Sequence, residues 1–280
     1  MRIGPVLCTI AALAFFAANS LLCRLALATG QIDAASFTAV RLASGAVVLA
    51  VLAGRRRAAR GPAAAWLSGA ALFVYAAPFS VAYLRLGAAT GALILFAVVQ
   101  ATMIGWGVLR GERPRPGVWT GFAIALAGLI ALLLPGVSSP PAAGAAAMAV
   151  AGIAWGVYSL RGRRAQGDAR AITAANFLAT VPMAAAFVVA WGLTQRLHVT
   201  PRGAMYAALS GGVASGVGYS LWYVALRAMS ATRGAVLQLT VPVLAAAGAV
   251  LWLGEPVTLR LVLCGLAILG GVGQVIRARA

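Results

Sequence analysis

Ten apolar runs divide this chain, and each approaches the roughly 20 residues that cross a hydrocarbon core. They lie near residues 5–27, 34–53, 66–84, 88–109, 117–134, 142–160, 171–194, 203–226, 232–252 and 258–276. Lipid offers no hydrogen bonds to a backbone, so runs of this length must close their N–H and C=O groups internally, as helices. The expected fold class is all-α integral membrane, with ten transmembrane helices. Composition agrees: 9% of residues are charged and 62% hydrophobic, where a soluble domain carries about 25% charged. The net charge of +18 does not point to nucleic acid, because its Arg residues sit mostly between apolar runs and not on a soluble face. Cys8, Cys23 and Cys264 lie within apolar runs in an odd number, so no disulfide framework is expected. Arg2, the first run and Ala26-Leu27-Ala28 imitate a signal peptide. That run is longer than a typical signal core, however, and Arg24 interrupts the cleavage region. It is expected to be retained as the first helix.

The second constraint is a duplication. Residues 86–134 slide forward by 143 positions onto 229–277 without a gap. Ala88 then falls on Ala231, Gly91 on Gly234, Ala92 on Ala235, Val98 on Val241 and Gly105 on Gly248. Gly111-Glu112 falls on Gly254-Glu255, Leu126 on Leu269 and Gly128 on Gly271. Apolar composition matches Leu and Ala by chance; it does not readily align two of only four acids, each preceded by Gly. The first helices of the halves match at a spacing of 139, pairing Phe16 with Trp155, Asn19 with Tyr158, Ser20 with Ser159 and Arg24 with Arg163. The expected organisation is a five-helix repeat over 1–134, a link over 135–141 and a second repeat over 142–280.

Charge sets the expected orientation. The links after even-numbered runs, with Arg2 and the tail, hold 16 Arg; the other side holds five, Arg24, Arg85, Arg196, Arg202 and Arg260. Arg41 remains inside a run. The excess places both termini in the cytoplasm and the Pro135–Pro141 link outside. Five helices per half is an odd number, so the second half enters upside down. Inverted repeats are a transporter architecture, with the substrate held near the midplane between the halves.

Two five-helix halves, each ending in helix, Gly-Glu and a Gly-rich last helix, resemble the EamA-type branch of the drug/metabolite transporter superfamily. LRGERPRPGVWTGFAIALAG and LWLGEPVTLRLVLCGLAILGG carry the likeness. The resemblance implies a carrier and no cofactor. Overall likeness is greatest to bacterial inner-membrane exporters of aromatic and other amino acids. Small multidrug exporters of the superfamily carry a Glu in their first helix, where this chain has FFAANSLLC. That departure argues against proton exchange at a buried acid.

No carboxylate stands mid-run: Asp33, Glu112, Asp168 and Glu255 lie at run ends, and His198, the sole His, lies in a link. Glu112 and Glu255 are expected to pair with a nearby Arg, such as Arg113, or to sit at the next helix's N-terminus, where the helix dipole favours an acid. No GxSxG, HExxH or GxxxxGK(S/T) pattern occurs. The chain is therefore read as neither an enzyme nor ATP-driven, with no metal site.

Aromatic stripes and buried amides are the expected substrate contacts. Tyr75, Phe79 and Tyr83 are spaced i, i+4, i+8, as are Ser215, Tyr219 and Tyr223, and such spacing lines one side of a helix. Trp155, Tyr158 and Ser159 share a face of the sixth run, and Phe16 and Asn19 lie in the first. Gln100 lies near the middle of the fourth. Amides, hydroxyls and helix ends would hold a zwitterion without a net buried charge, and runs 1, 3, 4, 6, 8 and 9 would form the walls. Pro78, Gly212 and Gly216 are the expected hinges, with Pro182 and Pro242 further candidates. Trp66, Trp119, Trp191 and Trp252 at run ends are expected in interfacial belts. The leading expectation is a monomeric exporter of small amphipathic metabolites. An exporter of aromatic cations and a non-transporting scaffold are the alternatives.

Overall fold

Helices make up most of the apolar runs where the computed structural model describes them, at residues 3–54, 61–111, 115–133, 139–228, 237–238 and 240–278. The helices are α1 (Ile3–Ala28), α2 (Ala34–Ala53), α3 (Pro62–Tyr83), α4 (Ala88–Leu109), α5 (Pro116–Leu133), α6 (Ala142–Arg163) and α7 (Ala169–Gly192). Then follow α8 (Pro201–Leu209), a π-helical segment (Ser210–Val217), α9 (Gly218–Arg227), α10 (Thr240–Leu253) and α11 (Leu259–Arg277). Six of them are long and apolar enough to cross a membrane, and three shorter helices are also apolar. The protein is an all-helical, multi-pass membrane protein.

Helix ends follow from local chemistry. Asp33 caps α2 by accepting from the Ser36 N–H, and Asp168 caps α7 by accepting from the N–H groups of Arg170 and Ala171. Thr200 caps α8 through the Gly203 N–H. Gly111 and Gly254, the duplicated glycines, have φ of 86° and 61°. Glycine adopts this left-handed conformation without the Cβ clash other residues meet, which explains why each Gly-Glu turn begins with it. Glu112 lies outside the described residues.

The run expected at 203–226 is not one regular helix. Its middle widens into eight residues of π-helix with the sequence SGGVASGV. Glycines tolerate such turns, and a Cβ on Gly211 would overlap the Arg41 carbonyl oxygen and Ser44 Oγ of α2. The sequence therefore permits a backbone approach that no larger residue could make.

Packing joins helices from opposite parts of the chain. The α5–α11 pair is tight and antiparallel: Arg260, near the start of α11, donates to the Ala131 carbonyl near the end of α5. Gly128 lies against Ala267 and Ile268, and its repeat counterpart Gly271 lies against Gly121 and Ala125. Small residues of this kind let membrane helices pack closely without a hydrophobic driving force. The other main pairings are α3 with α6 and α7, α2 with α7 and the π segment, α4 with α6 and α10, and α1 with α9 and α10.

At one end of the bundle the α1–α2 link meets the α7–α8 link. Asp33 N–H donates to the His198 carbonyl, Thr200 N–H donates to the Gln31 carbonyl, and His198 N–H donates to Asp33 Oδ2. At the same end Glu255, after α10, accepts from the Ala88 N–H that opens α4, at 2.8 and 2.9 Å. That contact makes α4 and α10 antiparallel. Glu255 also pairs with Arg24 Nε at 3.1 Å, and Arg24 Nη1 donates to the Tyr83 carbonyl. One acid thus ties α1, α3 and α4 to the turn after α10, in place of a side-chain cap that Gly87 cannot supply.

Candidate functional site

Aromatic rings from α1, α3, α6 and α9 converge inside the bundle around Trp155 and Tyr219. The Trp155 ring centroid lies 5.4 Å from Phe16, 5.0 Å from Tyr75, 4.6 Å from Tyr219 and 5.5 Å from Tyr158. The helical period explains the supply: Tyr75 and Phe79 are one turn apart on α3, with centroids separated by 5.2 Å. Trp155 Nε1 donates to Gln238 Oε1 at 2.8 Å, which satisfies the indole's one donor at depth.

The space among these rings is about 10 Å³, lined by Phe16, Asn19, Ser20, Tyr75, Phe79, Leu95, Phe96, Trp155 and Tyr219. That is hardly room for one water. The site is closed, its side chains packed against one another. Larger spaces open towards the two ends. One of about 460 Å³ lies between α4, α10 and α11 with Arg24 and Glu255 on its wall. Another of about 420 Å³ is lined by Trp106, Arg110, Arg161 and Arg164 among others. Arg110 and Arg164 both stand over the Trp106 ring, at 4.7 and 5.8 Å.

Beside the rings runs a buried polar lattice. Ser210 Oγ donates to Asn19 Oδ1 at 2.6 Å, and Asn19 Nδ2 donates to Tyr75 OH at 3.3 Å. Tyr219 OH donates to Tyr75 OH at 3.2 Å. Both tyrosyl oxygens accept from Arg41 Nη2, at 3.1 Å for Tyr75 and 2.8 Å for Tyr219. Arg41 Nε donates to Ser215 Oγ at 3.1 Å. Arg41 is 1% exposed, and its guanidinium carbon stands 5.2 and 5.0 Å from the ring centroids of Tyr75 and Phe79.

Six of the side chains expected at the site line the small cavity: Phe16, Asn19, Tyr75, Phe79, Trp155 and Tyr219. Five are buried but do not line it. Tyr83 points towards the start of α4, its hydroxyl 3.5 Å from the Ala88 carbonyl. Tyr158 accepts from Asn176 Nδ2 at 3.4 Å and packs on Tyr223, whose ring lies against Gly162. Gln100 and Ser159 are buried on α4 and α6. Among the expected hinges, Pro78 is inside α3, and Gly212 and Gly216 belong to the π segment, facing Val48 and Leu49 of α2.

The expectation of a site without net buried charge is corrected by Arg41, which sits within α2 and at the rear of the ring cluster. Looking only for mid-membrane carboxylates passes over it. The signal was nevertheless present in the sequence as a charged residue inside an apolar run. Leu95, Phe96 and Ser210 also meet the cluster, and nothing in their local pattern marks them, whereas Gln238 is marked as a polar residue within the ninth apolar run.

Residues 142–277, most of the second half, match the EamA-like transporter family. The chain is 50% identical over 275 residues to the uncharacterized protein PA1977 of Pseudomonas aeruginosa, covering 98% of this chain and 95% of that one. A solved crystal structure of another protein superposes on 100% of both chains with a TM-score of 0.70 at 21% identity, a likeness of fold. The second half of the chain, residues 142–277, is thus similar to the EamA-like transporter family.

Proposed function

We propose that the protein is a secondary transporter of the bacterial inner membrane that exports small amphipathic metabolites, amino acids including aromatic ones, by alternating access. Ten spans form two inverted five-helix repeats, both termini are cytoplasmic, and the protein works as a monomer without a cofactor. The match of residues 142–277 to a transporter family favours carriage over catalysis. The observation that carries the reading is the meeting of Phe16 and its repeat counterpart Trp155, 5.4 Å apart, in a closed cluster of rings and hydroxyls. A pseudo-symmetric carrier places its site at the interface of its halves. The antiparallel pairs α4–α10 and α5–α11, each joining equivalent helices, support inversion of one half relative to the other.

In this reading the closed cluster is an occluded state, and the two end spaces are where access would open. Rings would hold the substrate's side chain, and the polar lattice its headgroup. Export of aromatic cations is the weaker alternative, since among the described residues the charge that stands against these rings is positive. Purified protein in liposomes should carry radiolabelled phenylalanine in a saturable manner, with and without a pH gradient. Absence of saturable flux for every amino acid tried would reject amino acids as the cargo. Flux of aromatic cations alone would establish the alternative.

A further inference from the structure

We propose that Arg41 is the anion-binding element of the central site, and that the compounds it serves carry a carboxylate on a small apolar or aromatic body. This rests on the reading of the cluster as a substrate site. A guanidinium keeps its charge at any physiological pH and presents five N–H donors in a planar fork. Every described contact of this one is neutral. Its Nε and Nη2 meet only hydroxyls, two aromatic rings flank it, and Nη1 has no hydrogen-bond partner among the described residues.

Charge inside a membrane is costly and is usually matched by an opposite charge. The described acids are committed elsewhere. Asp33 caps α2 and accepts from His198, Asp168 caps α7, and Glu255 serves Arg24 and α4. Glu112 belongs to the link after α4, outside the described residues. Arg41 therefore stands as a cation without a counter-ion among the described residues, against the wall of a ring-lined cavity.

A carboxylate supplies what is missing. Its two oxygens match the guanidinium fork in a bidentate pair, and the tyrosyl hydroxyls can donate to the same oxygens. In the closed site, Tyr75 and Tyr219 oxygens take the N–H bonds from Nη2 themselves. Their mutual hydrogen bond closes the site in front of the charge. A carboxylate entering an opened site would replace these contacts, with its apolar body against Phe16 and Trp155. An amine without a carboxylate meets like charge and is rejected.

The test uses the full-length protein in detergent, with tryptophan emission and melting temperature read against L-phenylalanine, 3-phenylpropanoate, phenylalaninamide and phenethylamine. The wild type should bind both acids and neither the amide nor the amine. Arg41→Gln should weaken binding of the acids at least about 100-fold. Arg41→Lys, which keeps charge but loses the fork, should weaken it about 10-fold. Should Arg41→Gln fail to fold, the ligand panel on the wild type and Arg41→Lys decides. Unchanged acid affinity in a folded Arg41→Gln protein, equal binding of acid and amine, or no binding of either acid to the wild type would each overturn the assignment. Parallel flux in liposomes separates the two readings. Arg41-dependent acid binding without any flux keeps the anion site and removes the carrier. Flux indifferent to Arg41→Gln keeps the carrier and removes the anion site.

Discussion

Trp155 touches four of the central rings, so its loss should be read first in substrate choice. Truncation to Ala removes an aromatic wall that contacts Phe16, Tyr75, Tyr158 and Tyr219. Ring contacts are worth about 0.5–1.5 kcal/mol beyond their buried area. Trp155→Ala should therefore lower the preference for phenylalanine over alanine about 10-fold, measured as the ratio of their kcat/KM values for flux. An equal fall for both would assign Trp155 to packing. The helical period made several rings of this cluster legible in the sequence, because residues one turn apart share a face. Arg41 was less legible for a physical reason. Its partners Ser215, Tyr75 and Tyr219 are 174, 34 and 178 residues away, so no local spacing announces the lattice. Tyr83 and Tyr223 show the converse limit. Periodicity puts a residue on a face, yet the helix outlasts the cavity, and the far end of each stripe packs elsewhere.

Elements carry two further predictions. In the π segment, Gly211 approaches α2 so closely that a Cβ would meet the Arg41 carbonyl oxygen. Gly211→Ala should cost about 1–3 kcal/mol through overpacking, seen as a lower melting temperature, and should displace Arg41. Gly105→Ala, where a Cβ meets nothing within 4 Å, is the control and should leave stability unchanged. Equal behaviour of the two variants would mean that α2 yields freely. The second concerns the Gly-Glu turn. Its duplication was legible, and a positive φ explains the Gly. An acid paired with Arg and seated at a helix N-terminus was also within reach of the sequence. What the sequence did not hold was which Arg and which helix, since Glu255 reaches Arg24 and Ala88, 231 and 167 residues away. Glu255→Gln keeps an acceptor for the Ala88 N–H but loses the ion pair, so flux should persist while stability falls by about 1.5–3 kcal/mol. Complete loss of flux in a well-folded, normally expressed variant would give this acid a role in coupling.

Orientation is a property of the whole molecule, set by charge and not by packing. The helices alone would fit either way round, because the bundle's internal contacts are the same in both. The Arg residues break that symmetry. Short links after α2, α4 and α6 hold Arg clusters, as RRRAAR, RGERPR and RGRRAQGDAR, while the link between the halves reads PGVSSPP without a charge. Moving such clusters across the bilayer is unfavourable, so we expect them on the cytoplasmic side. The same side would then hold the space lined by Arg110, Arg161 and Arg164, and the opposite side the Arg24–Glu255 tie. The test is a thiol label that cannot cross the membrane, applied to intact cells that express a background with Cys8, Cys23 and Cys264 replaced. Ser138→Cys, in the link between the halves, should react from outside. Ala58→Cys, in the first Arg cluster, should react only after the membrane is permeabilised. Labelling of residue 58 but not 138 in intact cells would turn the molecule over. It would also put the Glu255 end in the cytoplasm.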